Sequence, residues 1–245
     1  MLSRSLEYFA PHHQELRRRL IWVFATIALS TGGAYLFSKQ LARIFIEPLL
    51  AASPLMDKLV YTNLPEAFMA YLKLSLLVGV VVSFPVLLYQ IWMFVAPGLR
   101  KNEKKLATTV VFWGTLLFAT GVLFAFFAIL PRMLTYFLSY ARPELQPLPK
   151  LGLYLTFVAR TSLAFGLAFE IPFLMVMAGK AGVVQASYFR SKRLYFYGAI
   201  VILAFLLGAG DLMATILLAI PLFALYEAGV FLTALFGRKK TPKSV

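Results

Sequence analysis

The 245-residue chain has no cysteine and only two histidines, the adjacent His12 and His13. Without cysteine it can form no disulfide framework, no catalytic thiolate and no cysteine-ligated metal centre. Two neighbouring imidazoles lack the helical spacing of a metal-binding pair, so we expect no metal site. The sequence also has no nucleotide-binding loop and no hydrolase nucleophile motif, so we expect neither a cofactor nor an enzymatic activity.

Charge is scarce as well, because only 14% of the residues are charged while 61% are hydrophobic. Soluble domains are nearer to about 45–50% apolar and about 25% charged. The apolar runs are long and do not alternate, which predicts an all-α polytopic membrane protein rather than a barrel. A net charge of +14 then fits basic loops beside anionic lipid headgroups, and we expect no nucleic-acid partner.

Six apolar segments form a single predicted membrane domain over residues 1–245. The first segment follows three arginines, as in a signal peptide, but no small-residue cleavage site comes after it, so we expect a retained span. The fifth has about 14 residues and reaches roughly 21 Å, short of a hydrocarbon core near 30 Å. The predicted spans are residues 20–37, 68–96, 107–130, 153–178, 194–207 and 212–236.

The basic residues are distributed unevenly about these spans. Sixteen of the 24 lysines and arginines fall before the first span, after the last one, or in the loops after the second and fourth spans. Positive loops stay in the cytoplasm, so both termini are predicted to be cytoplasmic.

Only ten acidic residues occur in the chain. Glu15 and Glu103 lie among the basic residues of the predicted cytoplasmic face. Each either pairs with a neighbouring Arg or Lys, or binds a cationic ligand through carboxylate–guanidinium contacts. Both interpretations stay open at this point.

Glu170 lies inside a stretch that otherwise has the pattern of a membrane span. An ionised side chain at a helix centre costs about 2.5–3.5 kcal/mol, so an acid at this position indicates a functional site. The alternative is a protonated carboxyl that bonds to a main-chain carbonyl, such as the one that Pro172 frees at Ala168. Glu227 lies nearer the end of its span, and we interpret it as structural.

Asp211 belongs to a Gly208-x-Gly210-Asp211 pattern that is also found in intramembrane aspartyl proteases. Such chemistry needs a second carboxylate close by. The only other aspartate is Asp57, in a predicted extramembrane loop, so we expect no protease.

Many short motifs together resemble the TatC family, the core receptor subunits of the twin-arginine (Sec-independent) protein translocase. The resemblance covers nearly the whole chain and depends on motifs in matching order and spacing. They are His13-Gln14-Glu15-Leu16-Arg17-Arg18-Arg19-Leu20, Glu47-Pro48-Leu49, Pro65-Glu66-Ala67-Phe68, Tyr89-Gln90-Ile91-Trp92-x-Phe94-Val95-Ala96-Pro97-Gly98-Leu99, Glu103-Lys104-Lys105, Phe165-Gly166-x-x-Phe169-Glu170-x-Pro172 and Leu218-Ala219-Ile220-Pro221.

The resemblance implies a concave, glove-like bundle in the bacterial cytoplasmic (inner) membrane. It implies a receptor, driven by the proton motive force, for the twin-arginine signal peptides of folded proteins. Implied partners are single-span TatA- and TatB-type subunits and further copies of the chain. The positions that match the family's signal-peptide site are Glu15, Glu103, Arg17, Arg19, Phe94 and Pro97. Those that match its partner-helix and translocation positions are Glu170, Pro48, Asp211 and Thr215.

One segment departs from the family pattern. Many relatives have a Thr-Pro-Pro-Asp-like turn before the sixth span and a glutamine four residues after the Asp. This chain has Gly208-Ala209-Gly210-Asp211 and Thr215, so a polar partner contact near Thr215 is expected to be weaker.

Two other functions compete with a receptor. A proton-coupled transporter of a small solute would use Glu170 as its proton carrier, but the sequence shows no inverted repeat and no second charge near Glu170. A purely structural scaffold subunit would bind no ligand of its own.

Overall fold

The computed structural model describes residues 2–52, 59–95, 106–140 and 147–237. Glu103 and Pro97 therefore lie outside the described residues. Within them the chain is helical apart from short connections and one isolated parallel bridge, between Val60 and Lys150. The predicted all-α class is confirmed.

The described residues form nine α-helices and one π-helical turn. In chain order they are α1 (Leu2–Leu36), α2 (Ser38–Ala51), α3 (Leu64–Val95), α4 (Leu106–Phe124), the π turn (Ala125–Ile129), α5 (Leu130–Leu138), α6 (Leu151–Lys180), α7 (Ala186–Ser191), α8 (Arg193–Leu207) and α9 (Leu212–Phe236).

Five helical stretches are long and apolar enough to cross a bilayer: Gln14–Leu36, Leu64–Phe94, Thr108–Leu138, Leu151–Lys180 and Leu212–Phe236. Helix α8 is the sixth apolar helix and has only 15 residues, which gives about 22 Å. The chain is thus a polytopic membrane protein with one span markedly shorter than the others.

Several helices begin earlier than the predicted spans, α1 and α6 among them. Helix α1 starts at Leu2, because the polar residues before the span, such as Gln14, Glu15 and Arg17, are good helix formers and continue the same helix. Helix α6 starts at Leu151, directly after the bridge in which the Leu151 amide donates to the Val60 carbonyl (3.0 Å).

The chain divides into two compact units, residues 1–45 with 61–116 and residues 46–60 with 117–245. In the first unit α1 packs along α3. Their closest approach is at Gly79, where a Cβ atom would lie only 2.3 Å from Thr31 Oγ1 and 2.8 Å from its main-chain nitrogen. Helix α3 begins with Glu66 accepting a hydrogen bond from the Thr62 amide (2.8 Å), which stabilises its first turn.

In the second unit α6 and α9 form the core, with Phe165, Leu218 and Tyr226 almost fully buried. The π turn also packs against α6. It lies just before Pro131, which has no N–H to donate and whose ring excludes a normal helical turn at Phe127. The Arg132 guanidinium donates to the Ala128 carbonyl of this turn (3.0 Å).

Glycine lets α4 and α6 touch main chain to main chain. A Cβ on Gly121 would lie 2.5 Å from the Phe165 carbonyl oxygen, and one on Gly166 would lie 2.7 Å from the Phe118 ring. Membrane helices lack a hydrophobic force between them, so such close packing of small residues holds them together.

We therefore predict that Gly121→Ala destabilises the protein, because the new methyl group meets rigid backbone. An overpacked site costs about 1–3 kcal/mol. Thermal unfolding in detergent measures the loss. Gly198→Ala is the matched control, because a Cβ there has nothing within 4 Å. Equal melting temperatures for the two variants would contradict this account of the packing.

Candidate functional site

A cavity of about 270 Å³ opens between α1 and α3 in the first unit. We call it the Glu15 cavity. Its lining combines a carboxylate, two guanidinium groups, an amide, two aromatic rings and a thioether, from Glu15, Arg18, Arg19, Trp22, Tyr89, Gln90 and Met93.

The helical repeat explains this grouping. Residues 15, 18, 19 and 22 follow the spacing of one helix face, and residues 89, 90 and 93 do the same on α3. The polar face of α1 therefore lies against the end of α3. Both faces adjoin the apolar part of their helix.

Glu15 and Arg19 form an ion pair inside the cavity, between Oε1 and Nη2. The Nη1 atom of Arg19 donates to the main-chain carbonyl of Gln90 (3.3 Å). One guanidinium thus links the Glu15 carboxylate to the neighbouring helix. The Arg19 side chain is 15% exposed, whereas that of Glu15 is 41% exposed.

The structure brings only part of the predicted signal-peptide site together. Glu15 and Arg19 line the cavity, but Arg17 is exposed and does not line it. Phe94 is half-buried, next to Met93 at the end of α3. The remaining predicted residues, Glu103 and Pro97, are outside the described residues.

Sequence reasoning missed five of the lining residues. Their signal was present in the i, i+3, i+4, i+7 spacing from Glu15 on α1. It was present again on α3, where two of them belong to a motif already noted for the family resemblance. The five are Arg18, Trp22, Tyr89, Gln90 and Met93.

Glu170, in the middle of α6, is 4% exposed. Neither carboxyl oxygen forms a hydrogen bond with any described residue. The predicted alternative, a protonated carboxyl that bonds to a main-chain carbonyl, is not observed among the described residues.

Two more buried polar groups lie on the same helix. The hydroxyls of Thr161 and Ser162 are fully buried, and neither bonds to a described residue. Ser162, Gly166 and Glu170 are spaced four residues apart, so they form one ridge along α6. A buried polar group without a hydrogen bond costs about 1–3 kcal/mol. This ridge thus carries two buried polar side chains, Ser162 and Glu170, that form no hydrogen bond with a described residue.

Asp211 has a clear local role at the start of α9. Its Oδ1 accepts a hydrogen bond from the Ala214 amide (2.7 Å), and its main-chain carbonyl accepts from the Thr215 hydroxyl (2.6 Å). The Tyr136 hydroxyl lies 3.4 Å from Oδ2. The turn before it contains Ala209 and Gly210 at positive φ (55° and 81°). Asp211 is therefore a helix cap, and the Thr215 hydroxyl bonds back to it.

Both carboxyl oxygens of Glu227 bind residues of the same chain, in agreement with the structural interpretation of this residue. Its Oε2 accepts from Arg193 (2.6 Å) and its Oε1 accepts from the Tyr197 hydroxyl (2.6 Å). The neighbouring Tyr226 stacks on Phe196 and donates to the Phe189 carbonyl (2.8 Å). These contacts join α7, α8 and α9 at one end of the second unit.

Comparison with known proteins identifies the family to which these features belong. The family model described as "Sec-independent protein translocase protein (TatC)" matches residues 11–221. The chain belongs to the TatC family. The family assignment does not favour the small-solute transporter alternative.

Its relatives within the TatC family span most of the chain. It is 37% identical to the Sec-independent protein translocase protein TatC of Desulforapulum autotrophicum over 95% of this chain and 86% of that one. It is also 37% identical to that of Aquifex aeolicus, over 94% and 95%. A crystal structure of "Twin Arginine Translocase Receptor- TatC" superposes with a TM-score of 0.82 at 34% identity, covering 93% of this chain and all of the other.

For this TatC-family chain we predict that Asp211→Ala lowers stability by about 0.5–2 kcal/mol, because the α9 N-terminus loses its cap. Asp211→Asn keeps a side-chain oxygen for the Ala214 amide and is expected to retain most of the stability. Thermal unfolding in detergent tests both. A stable Asp211→Ala variant would contradict the capping role.

Proposed function

We propose that this chain is the receptor of a twin-arginine translocase and binds the signal peptides of folded precursor proteins at the Glu15 cavity. As a TatC-family protein it is a core subunit of a Sec-independent protein translocase. The observation that supports peptide binding there is a half-exposed carboxylate set among arginines and aromatic rings at the end of two apolar helices.

The chemistry of the cavity suits a guanidinium ligand. A carboxylate accepts two parallel hydrogen bonds from the planar guanidinium fork, while an ammonium makes only a point contact. Trp22 and Tyr89 add aromatic faces on which a guanidinium can stack. A surface of net charge +14 would otherwise repel a basic peptide, so the acids supply the specificity. Glu103 is our proposed second acid, on the basis of the sequence alone.

We further propose that the cavity faces the cytoplasm of a bacterium, with both termini on that side of the inner membrane. The distribution of basic residues supports this orientation. The work of translocation would come from the proton motive force, and the chain would have no enzymatic activity of its own.

Glu170 is our proposed contact for a partner helix of the TatA or TatB type. Its carboxyl is buried without a hydrogen bond, so a polar side chain from a single-span subunit would lower the free energy of the assembly. A role of Asp211, Thr215 and Pro48 toward partners stays a prediction. So do the glove-like shape, the single membrane domain and a complex of several copies.

The first test measures the affinity of the purified chain for a synthetic twin-arginine signal peptide. Glu15→Ala removes the carboxylate that receives the guanidinium, and a hydrogen bond to a charged group contributes about 1.5–3 kcal/mol. We expect the Kd for the peptide to rise by about tenfold or more.

Glu47→Ala is the matched control. It removes the same charge from an exposed position on α2, on the opposite side of the membrane in the proposed orientation. Its Kd is expected to equal that of the parent protein. Unchanged binding by Glu15→Ala, or equal losses in both variants, would refute peptide binding at the cavity.

The second test concerns the partner helix. Glu170→Ala is expected to lower copurification of a TatA- or TatB-type subunit, and Glu170→Gln to restore part of it, because an amide still forms hydrogen bonds. Glu227→Ala is the control, since that carboxylate is already bound by Arg193 and Tyr197. Full recovery of the subunit by folded Glu170→Ala would exclude this contact.

A further inference from the structure

We infer that Arg19 is an internal competitor for the ligand: its guanidinium occupies the Glu15 carboxylate until an incoming guanidinium displaces it. Arg19 would thereby limit the affinity of the cavity for cationic side chains. The inference depends on the proposed peptide binding at Glu15 and assigns to Arg19 a role distinct from direct contact with the peptide.

The position of Arg19 fits this role. Its guanidinium bonds to the Glu15 carboxylate through Nη2 and to the Gln90 carbonyl through Nη1 (3.3 Å). The second bond anchors it to α3, so it stays in the cavity when Glu15 changes partner. The Glu15 side chain is more exposed than that of Arg19, so a ligand can reach its carboxylate.

Its neighbours in the sequence do not share this position. Arg17 is exposed and does not line the cavity. Arg18 lines the cavity and is also exposed, yet among the described residues the carboxylate of Glu15 pairs with Arg19. Of three consecutive arginines, one is therefore oriented toward the acid and held there by the neighbouring helix.

An exchange of partners has a different energy balance from the filling of an empty site. When an arginine of the peptide replaces Arg19, the partly exposed Glu15–Arg19 pair is lost and a bidentate contact is formed, so breaking the pair offsets part of the affinity that Glu15 supplies. A lysine must break the same pair and forms only a point-charge contact, so its net gain is smaller. The competitor thus lowers the affinity for either side chain by a similar factor.

The experiment compares four proteins: the parent chain, Arg19→Gln, Arg18→Gln and Glu15→Ala. Each is titrated, as purified full-length protein, with twin-arginine and twin-lysine versions of one synthetic signal peptide. Arg18→Gln removes the same charge from the same cavity without breaking the Glu15–Arg19 pair, so it measures the effect of the electrostatic field alone.

We expect Arg19→Gln to bind both peptides more tightly than Arg18→Gln does. The gain is expected to reach up to about fivefold, which corresponds to an exposed ion pair of up to about 1 kcal/mol. Both peptides should gain by a similar factor, because each must break the same ion pair. Arg19→Lys, which keeps the charge and loses the planar fork, should lie between the parent and Arg19→Gln.

Two results would overturn the inference. Arg19→Gln could bind the twin-arginine peptide more weakly than the parent, or it could behave like Arg18→Gln. Each of these would refute the competitor role while Glu15→Ala still weakens binding, which leaves the proposed function intact. Undiminished binding by Glu15→Ala would instead refute the proposed function together with this inference.

Discussion

A carboxylate in or beside a lipid bilayer must find a partner within the protein, and this constraint organises the molecule. Glu227 is satisfied by Arg193 and Tyr197, and Asp211 is satisfied by the helix that it caps. Glu15 is paired with Arg19 while it remains 41% exposed, a state from which it can exchange partners. Glu170 is buried, and no described residue bonds to it. The first two acids therefore stabilise the fold, and we propose that the other two bind another polypeptide.

The helices around these groups pack closely because glycines lie where their backbones meet. In the sequence these glycines are the only sign of that packing. Gly79 places α3 against the backbone of α1 in the unit that holds the Glu15 cavity. Gly121 and Gly166 bring α4 and α6 together one turn from Glu170. Each site thus lies on helices whose backbones are in contact, so its side chains are fixed by the packing of main chain on main chain.

The sequence predicted the all-α membrane class, the positions of the apolar helices and the short fifth span, because hydrophobic length and helix-breaking residues determine these locally. It also singled out Glu170 from the cost of a charge in lipid. It did not predict the π turn before Pro131 or the extension of α1 to Leu2, which depend on continuous hydrogen bonding through the helix. Nor did it predict the cavity residues Trp22, Gln90 and Met93, because the alignment of α1 with α3 depends on tertiary packing at Gly79 and Thr31. The hydrogen bond from Arg19 to the Gln90 carbonyl has no sequence signature, since its acceptor is a main-chain atom.

The central claim is that the arginine pair of a signal peptide enters the Glu15 cavity. Site-specific photocrosslinking from position 93, where Met93 lines that cavity, tests it most directly. The chain contains no cysteine, so the peptide can carry a single thiol label without background. The account predicts a crosslink beside the arginine pair of a twin-arginine peptide and a much weaker one with a twin-lysine peptide. Equal crosslinking of the two peptides, or crosslinks only to parts of the peptide far from the arginines, would contradict it.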